Sequence, residues 1–410
     1  MEYCRDKIVD KNMAKEKVKK EKSYLAAECD RIGEIAMHYG FTIIKEPDVN
    51  SDDIVSAKQF KSFDYYNDAL EKTALTRWYL ENNMTEEAQP VMVHWKNHLQ
   101  GNTSKRKLSK EKYGFEIMGS ARSTSEALLI KCALAVLEDI GFVNLYVDIN
   151  SIGDKESIVR FERELSMYLR KQANSAPAKI REMFKTNHYS ILTSSAPELE
   201  ILRQSAPQTV SSLSDISRAH FKEVLECIEA FNVSYKINPR LLSNKLYASY
   251  TVFEIRETDD KNGSTSTGEL LAYGYRYNHL AKKIGWKREI PSVGMTITVK
   301  KNLKLSKKNF VKDIKKPSYY LVQLGLTAKL KCLNIVEMLR KEKIPVYHSI
   351  TKDKIVGQLT GAEYMQATHV LIMGQKEACD NTMVVRNIST RQQETVSLSE
   401  LCQFLKRMER

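Results

Sequence analysis

The stretches TVFEI at 251–255, YGYRYNHLAKKIG at 273–285 and SVGMTITV at 292–299 decide the fold of this 410-residue chain. Their apolar residues alternate with polar ones or form short uninterrupted runs, which predicts strands over 246–256, 270–275 and 292–299. A loop rich in glycine and serine at 261–268 predicts the turn between the first two strands. These residues therefore predict a sheet.

Helical patterns surround these strands. Residues from about 155 to 230 are dominated by helical spacing and polar breaks, which predicts a helical subdomain inserted in the core. The elements predicted before this insert are helices at 23–39 and from about Ser125 to Gly141, and strands at 41–45, 114–118 and 145–149.

A lysine-rich segment precedes the last part of the chain. Eight lysines lie between 300 and 316 with few large apolar side chains, which predicts a linker. Beyond Pro317, strands and helices alternate, which predicts a mostly parallel sheet covered by helices. The predicted strands are 319–324, 346–350, 370–373 and 383–386, and the predicted helices are 328–341, 354–365 and 399–407.

The composition is that of a globular protein with a large positive charge. Apolar residues make up 42% of the chain, and the formal net charge is +13. No stretch is apolar enough to cross a membrane and no signal region precedes the lysine-rich start, so a cytoplasmic location is expected. The seven cysteines include no CxxC pair, so neither a metal site nor a disulfide framework is predicted. The charge fits a nucleic-acid partner, and it fits equally a role of the lysines in solubility.

Several segments carry a resemblance to a known family. They are DINSIGDKES at 148–157, SRAHFKEVLECIEAFNVSYKINPRL at 217–241, TVFEI at 251–255 and YGYRYNHLAKKIG at 273–285. In order and spacing they resemble the middle and active-site segments of histidyl-tRNA synthetases. The later stretches IPVYHS, LIMGQKEA and TMVVRN resemble the anticodon-binding domain of that family. The resemblance covers nearly the whole chain from about Tyr24.

The resemblance implies an α+β class II aminoacyl-tRNA synthetase core, in which an antiparallel sheet is flanked by helices, followed by a C-terminal α/β anticodon-binding-type domain. The expected division is a basic lead-in at 1–22, a core at 23–299, a lysine-rich linker at 300–316 and an anticodon-binding-like domain at 317–410. Pro47 lies where the first motif of the family places a proline at the dimer interface. A homodimer is therefore implied.

Three positions at which the family implies a catalytic arginine hold other residues. The arginine of the second motif, which would grip the α-phosphate and the substrate carboxylate, falls on Val93, or on His94 with a shift of one residue. The arginine that closes the third motif and contacts ATP falls on Lys301, which keeps the charge but not the planar guanidinium. The arginine of the histidine pocket falls on Ser243. The resemblance implies ATP as the cofactor, and these substitutions argue against its productive binding.

Other pocket positions are altered or retained. The pocket aspartate and second tyrosine fall on Leu246 and Ala248. The glutamine that would hold the amino group of the substrate falls on Lys112, whose charge would repel an ammonium. The retained positions of the amino-acid pocket are Glu71, Glu116, Tyr247, Arg276 and Tyr277. The alternative is that these polar residues are satisfied groups of the core.

Basic side chains are the candidates for RNA contacts. A cluster in the equivalent of the second-motif loop, which approaches the tRNA acceptor end, consists of Lys105, Arg106, Lys107 and Lys110, and a solvated surface loop is its alternative. In the last domain the candidates are Lys352, Lys354 and Arg386. No obvious aromatic platform for anticodon bases accompanies them.

The substitutions predict a histidyl-tRNA synthetase-like protein that binds tRNA or another RNA, with lost or much reduced aminoacylation. Each missing charge-stabilising donor costs on the order of 3 to 4 kcal/mol of transition-state stabilisation. Three such losses predict adenylation slower by several powers of ten. An active ATP-dependent histidine–tRNA ligase is one alternative. A regulatory subunit like the histidine-biosynthesis paralogue of the family is the other.

Overall fold

The structure is a computed structural model. It describes residues 24–61, 66–99, 110–172, 180–182, 188–193, 196–258, 268–300, 309–311, 314, 316–352 and 354–408. Within them the chain forms an α+β core followed by a smaller α/β domain.

A mixed sheet forms the centre of the core. The strands are β1 Glu28–Cys29, β2 Thr42–Ile43, β3 Val91–Leu99, β4 Lys110–Met118, β5 Leu145–Gly153, β6 Ser234–Ile237, β7 Ser249–Glu257, β8 Leu270–Arg276, β9 Ser292–Lys300 and β10 Asn309–Phe310. Eight of them form one sheet in the order β2-β3-β4-β9-β8-β7-β5-β6. The six inner strands pair antiparallel, whereas each outer strand pairs parallel with its neighbour. The expected antiparallel core sheet is confirmed.

Helices flank this sheet. They are α1 Arg31–His38, α2 Ser51–Lys58, α3 Ala69–Glu81, α4 Thr124–Asp139, α5 Lys155–Gln172, α6 His188–Thr193, α7 Glu200–Gln204, α8 Asp215–Ala230 and α9 Leu280–Lys283. Helix α4 is buried along most of its length, and its apolar side chains join those of α1, α8 and the sheet in the largest core cluster. This burial explains why its sequence is apolar on nearly all sides.

The first helix begins later than predicted. The pattern at 23–39 predicts one helix, but α1 begins at Arg31, because Asp30 caps it by accepting a hydrogen bond from the Gly33 amide at 3.1 Å. The residues just before this cap form β1, which pairs antiparallel with β10. Since β10 lies at Asn309–Phe310, the predicted linker at 300–316 contributes a short strand to the core.

The C-terminal domain contains a second sheet with helices. Its elements are β11 Tyr319–Gln323, α10 Leu326–Lys341, β12 Val346–His348, α11 Ile355–Tyr364, β13 His369–Met373, α12 Gln375–Asp380, β14 Thr382–Asn387, β15 Gln393–Ser397 and α13 Leu401–Met408. In the order β12-β11-β13-β14-β15, only the first two pairings are parallel. The expectation of a mostly parallel sheet is therefore wrong for its second half. β15 was not predicted because Val396 is its one buried residue.

The two domains share a buried boundary. Helix α10 packs against α1, α4 and α8, and the apolar cluster runs through this contact without a break. The Tyr39 hydroxyl donates to the Glu337 carboxylate at 2.8 Å, and the Arg340 guanidinium donates to Asp139 at 3.0 Å. Specific polar contacts therefore fix how the domains meet.

The described part of the chain contains neither a membrane-spanning helix nor a metal-binding cluster. None of its helices is both long and apolar enough to span a membrane. In the same residues, no group of three or more His, Cys, Asp or Glu side chains is arranged to hold a metal ion. The cysteines with free thiols there are Cys29, Cys132, Cys227, Cys332, Cys379 and Cys402.

Candidate functional site

One face of the central sheet carries most of the predicted pocket residues. Residues directly opposite each other on antiparallel strands point to the same face. The register across β3, β4, β9 and β8 therefore groups two rows on this face, Val93–Glu116–Gly294–Tyr275 and Trp95–Gly114–Thr296–Tyr273. Helix α3 approaches the same face, because the side chain of its Lys72 reaches Glu116.

Lys72 forms a buried ion pair at the centre of this face. The exposed fractions of the Lys72 and Glu116 side chains are 2% and 0%. Lys72 Nζ donates to one carboxylate oxygen of Glu116, and the Tyr277 hydroxyl donates to the other at 2.6 Å. Burial raises the pKa of Glu116, and the Lys72 ammonium and the Tyr277 hydroxyl oppose this rise. Gly294 permits this contact, since a Cβ there would collide with both side chains of the pair.

Tyrosines surround the Lys72 ammonium. Lys72 Nζ lies 5.6 Å from the ring centroid of Tyr275 and 5.2 Å from that of Tyr277, which is within the range of a cation–π contact. The Tyr275 hydroxyl donates to Asp68 at 2.7 Å and lies 3.3 Å from the Tyr247 hydroxyl. Burial raises the pKa of both Tyr275 and Tyr277 well above the ordinary value. A carboxylate and tyrosine rings are the groups that bind a small organic cation, and here they hold a lysine of the chain itself.

The neighbouring part of this face is apolar. Trp95 has an exposed fraction of only 1%, and its indole lies directly over Gly114. With Val93 it joins a core cluster that includes Trp78 of α3. The indole N–H of Trp95 has no hydrogen-bond partner among the described residues. The position that the resemblance assigns to a phosphate-binding arginine is thus part of a packed core.

His94, the alternative to Val93, points to the opposite face. Its Nδ1 lies 3.0 Å from the carbonyl oxygen of Gly114, and its ring packs against those of Tyr113 and Phe115. Burial lowers the pKa of His94 to about 4, so the ring is neutral at physiological pH. A neutral, buried imidazole does not replace a guanidinium.

Lys112 forms a second ion pair at the rim of the face. Its Nζ donates to both carboxylate oxygens of Glu71 at 2.6 Å. Glu46 lies close to this pair and accepts a hydrogen bond from Asn97 at 2.5 Å. Burial and the nearby Glu71 charge raise the pKa of Glu46 to about 7. The charge of Lys112 is therefore compensated by the chain.

The sequence and the fold of this chain are similar to those of known proteins. Residues 320–408 match the family described as "Anticodon binding domain". The chain is 28% identical over 288 residues to the histidine–tRNA ligase of Thermosynechococcus vestitus, a match that covers 70% of this chain and 66% of that relative, slightly less than two thirds of its length. It is 26% identical over 370 residues to that of Listeria innocua, with 87% and 85% covered. The crystal structure of apo S. aureus histidyl-tRNA synthetase matches with a TM-score of 0.51 at 20% identity, over 91% of this chain and 93% of that one.

The chain is histidyl-tRNA synthetase-like. Its central sheet with flanking helices and its C-terminal domain have the fold of that class II family. The comparisons bear on fold and ancestry, whereas the chemistry of this member depends on the side chains of its own pocket.

Arg276 does not join this histidyl-tRNA synthetase-like pocket, contrary to the expectation. Neighbouring residues on a strand point to opposite faces, so Arg276 lies behind the sheet when Tyr277 lies in front of it. It forms a buried ion pair with Glu126 of α4, with contacts of 2.7 and 2.5 Å. Its remaining donors reach the carbonyl oxygens of Ser120 and Arg122 and the side chain of Asn278. Arg276 thus serves the scaffold.

The Glu126 carboxylate is bound by two side chains, those of Arg276 and His220. His220 Nε2 lies 2.7 Å from Glu126 Oε1, beside the contact with Arg276. Burial alone would raise the pKa of Glu126, but Arg276 and His220 lower it to about 2. The carboxylate therefore stays charged at any ordinary pH.

The remaining predicted positions lie apart from Lys72 or outside the described residues. Ser243 and Ala248 are buried, and Leu246 is half-buried, in the connection from β6 to β7. Pro47 follows β2, Lys352 and Lys354 lie between β12 and α11, and Arg386 lies on β14. Lys110 begins β4. Lys105, Arg106, Lys107 and Lys301 lie outside the described residues.

Sequence reasoning missed the lysine at the centre of the site. Lys72 directly follows the expected position Glu71, and a lysine on a helix is ordinarily solvated. A signal was nevertheless present, because Tyr273, Tyr275 and Tyr277 are spaced by two residues and must share one face of the sheet. That spacing also excluded Arg276 from the face. Asp68, which binds Tyr275, carried no comparable signal.

Proposed function

We propose that this histidyl-tRNA synthetase-like protein binds tRNA or another RNA and has lost, or largely lost, aminoacylation activity. The observation that carries the proposal is the buried Lys72. Its ammonium uses the carboxylate of Glu116 and the faces of Tyr275 and Tyr277, which a substrate ammonium or imidazole would need. A ligand must displace this internal cation before it can bind there.

The cost of that displacement is large. Moving Lys72 away leaves the Glu116 carboxylate buried without its cation, and breaking a buried ion pair typically costs about 3 to 5 kcal/mol. A ligand cation recovers this only by making equally good contacts in the same space. Histidine binding in the ground state is therefore disfavoured before any chemistry begins.

The chemistry itself lacks its usual cations. Val93 and Ser243 are both buried and uncharged at positions where the family implies arginines. Trp95 fills the sheet surface beside Val93. Loss of each preorganised donor typically costs about 3 kcal/mol or more of transition-state stabilisation. ATP, if it contacts Lys301, is accordingly not expected to be activated for adenylation.

RNA binding is supported by what the chain keeps. The C-terminal domain matches an anticodon-binding family over 320–408, and the net charge is +13. Lysines and arginines that neutralise phosphates release counterions, which favours binding. The proposal includes Lys105, Arg106, Lys107, Lys110, Lys352, Lys354 and Arg386 as phosphate contacts. It also includes a homodimer with Pro47 at its interface.

Histidine-dependent exchange of pyrophosphate into ATP tests the catalytic part. We expect the purified full chain to give background exchange under conditions in which an active histidyl-tRNA synthetase gives a strong signal. Turnover that depends on histidine and lies clearly above background would show a working ligase instead.

Binding of unfractionated tRNA over a series of salt concentrations tests the RNA part. We expect the affinity to fall as salt increases, because bound phosphates exchange with counterions. Circular dichroism and a cooperative urea transition of the same preparation show that it is folded, independently of both assays. Absence of tRNA binding at low salt would remove RNA from the proposal while leaving the catalytic conclusion intact.

A further inference from the structure

The turn between α9 and β9 presents a tryptophan to solvent. Trp286 has an exposed fraction of 41%, whereas Trp78 and Trp95 are 7% and 1% exposed. Gly285 has φ +100°, a left-handed conformation that lets the chain leave the helix sharply. The Trp286 amide donates to the Ala281 carbonyl at 3.0 Å, and the Gly285 amide donates to the Lys282 carbonyl at 3.3 Å. The backbone that carries the exposed ring is therefore held by hydrogen bonds.

Exposed basic residues precede and follow Trp286 along the chain. Lys282, Lys283, Lys287 and Arg288 are all exposed within the segment 282–288. The Gln59 side chain donates to the Lys283 carbonyl at 3.4 Å, which brings the end of α2 and the exposed Lys58 and Lys61 beside the turn. The acidic Glu289 follows this segment, and its carboxylate lies 3.0 Å from His279 Nδ1. None of these six basic side chains forms a salt bridge with a described residue.

We infer that Trp286 is a stacking platform for an unpaired base of single-stranded RNA, with Lys282, Lys283, Lys287 and Arg288 contacting the neighbouring phosphates. This site rests on the proposed RNA-binding function and specifies where an unpaired segment is held. An aromatic face beside a strip of cations is the combination that binds single strands without sequence preference. A base-paired duplex offers no free base face to the ring.

The platform is separate from Lys110, the described residue of the basic cluster predicted from the sequence. In the pairing of β4 with β9, Met118 lies opposite Ser292 and Lys110 lies opposite Lys300. The Trp286 turn enters β9 at Ser292. Trp286 and Lys110 therefore lie towards opposite ends of β4 and β9, and RNA that contacts both must pass along the core.

The charge of the turn favours RNA over a protein partner as the occupant. A single ring among four exposed cations offers little apolar area, whereas protein interfaces have cores depleted in lysine. Phosphates compensate the clustered charge, and the base covers the ring. Oligouridylate is the simplest probe, because its bases are unpaired and its sequence is uniform.

Tryptophan fluorescence and competition binding test this inference in the full-length protein. We expect a short oligouridylate to quench the fluorescence of the wild-type chain, and the Trp286→Phe variant to lose this quenching because its other tryptophans are buried. Binding of a labelled oligouridylate should weaken roughly 5- to 150-fold in Trp286→Ala, as removal of one stacked base predicts. Trp286→Phe, which retains a ring, should bind closer to the wild type.

Substitution of Lys282, Lys283, Lys287 and Arg288 by alanine should lower the salt dependence of oligouridylate binding, by about 0.7 in logarithmic slope for each lost phosphate contact. An RNA duplex of the same length should neither quench the fluorescence nor compete.

If the wild type binds tRNA but Trp286→Ala binds oligouridylate as well as the wild type does, the platform is wrong and the RNA-binding function stands. If the wild type binds neither RNA, both fail. Concentration-dependent quenching without RNA would identify a contact between protein chains and would overturn the inference.

Discussion

Two buried ion pairs lie on opposite faces of the central sheet and differ in what they do for the protein. Arg276 pairs with Glu126 behind the sheet, whereas Lys72 pairs with Glu116 in front of it, where Tyr277 also binds. Arg276 makes further hydrogen bonds to backbone carbonyls and so joins α4 and its preceding turn to the sheet. Lys72 makes its ion pair beside the aromatic faces of Tyr275 and Tyr277, and these groups have the chemistry of a cation-binding site.

The comparison shows that a fold can be preserved separately from a binding site. A planar guanidinium with several fixed partners specifies how elements pack, and replacing it changes the scaffold. A lysine reaching into a pocket satisfies a carboxylate that otherwise requires a bound cation. The Arg276 pair thus supports the fold, whereas under the proposed function the Lys72 pair fills the pocket.

Arg276→Ala should have the largest effect on stability. It leaves Glu126 buried without its guanidinium, so we expect the free energy of unfolding to fall by about 3 to 5 kcal/mol. The free energy of unfolding of Arg276→Lys should lie between those of Arg276→Ala and the wild type, because lysine keeps the charge but not the planar set of donors. Urea unfolding of the full chain, followed by circular dichroism, measures both changes.

The pH dependence of Arg276→Ala provides a control. Glu126 has a pKa of about 2 in the folded chain, below its ordinary value of 4.5, so the pair contributes stability that is present above pH 4.5 and is lost as the pH falls towards 2. The variant should lack this loss. A change in unfolding free energy under about 1 kcal/mol would contradict the scaffold role and remove the contrast between the pairs.

Lys72→Ala should have a smaller effect that grows with pH. Without the ammonium, Glu116 avoids an unpaired charge by binding a proton, so its pKa rises further above the ordinary 4.5. A raised pKa in the folded state stabilises at low pH and loses that contribution as the pH rises. We expect a deficit of about 3 kcal/mol at about pH 8 that shrinks towards about pH 5.

The matched variant for this experiment is Glu116→Gln in the Lys72→Ala background. It removes the titrating carboxyl, so its deficit relative to the wild type should not grow between about pH 5 and about pH 8. A Lys72→Ala deficit that is constant over the same pH range would show that Glu116 does not carry the effect.

The regular parts of the fold were predictable from the sequence, and the exceptions have physical causes. The strand predicted at 292–299 is Ser292–Lys300, because its apolar residues alternate at 293, 295, 297 and 299 and are buried in the middle of the sheet. β6 was not predicted, since it lies at the sheet edge with mostly exposed side chains. An edge strand needs no apolar pattern, and only its partner defines it.

The candidate site was less predictable than the fold. The resemblance led to Glu71, Glu116, Tyr247 and Tyr277, and the structure brings Glu116, Tyr247 and Tyr277 into one cluster through Tyr275 and Lys72. Glu71 lies at the rim with Lys112. What the sequence could not supply was the packing of α3 on the sheet, which alone decides whether a helical lysine points to solvent or into the pocket.

Uptake of an external cation by Lys72→Ala is the smallest effect and the most direct test of the contrast. Propylammonium supplies the deleted atoms from Cγ to Nζ, so it should occupy the vacated space and pair with Glu116. A ligand that binds only the folded state at about ten times its Kd stabilises it by roughly 1.4 kcal/mol. We expect propylammonium to raise the unfolding midpoint of Lys72→Ala at neutral pH but not that of the wild type, in which Lys72 fills the site. Propanol, which lacks the charge, should have little effect, and Arg276→Ala should not respond because its lost contacts are to several fixed groups. An equal response of Lys72→Ala to both compounds would mean that the pocket recognises apolar volume, and the description of Lys72 as an internal substitute for a bound cation would fail.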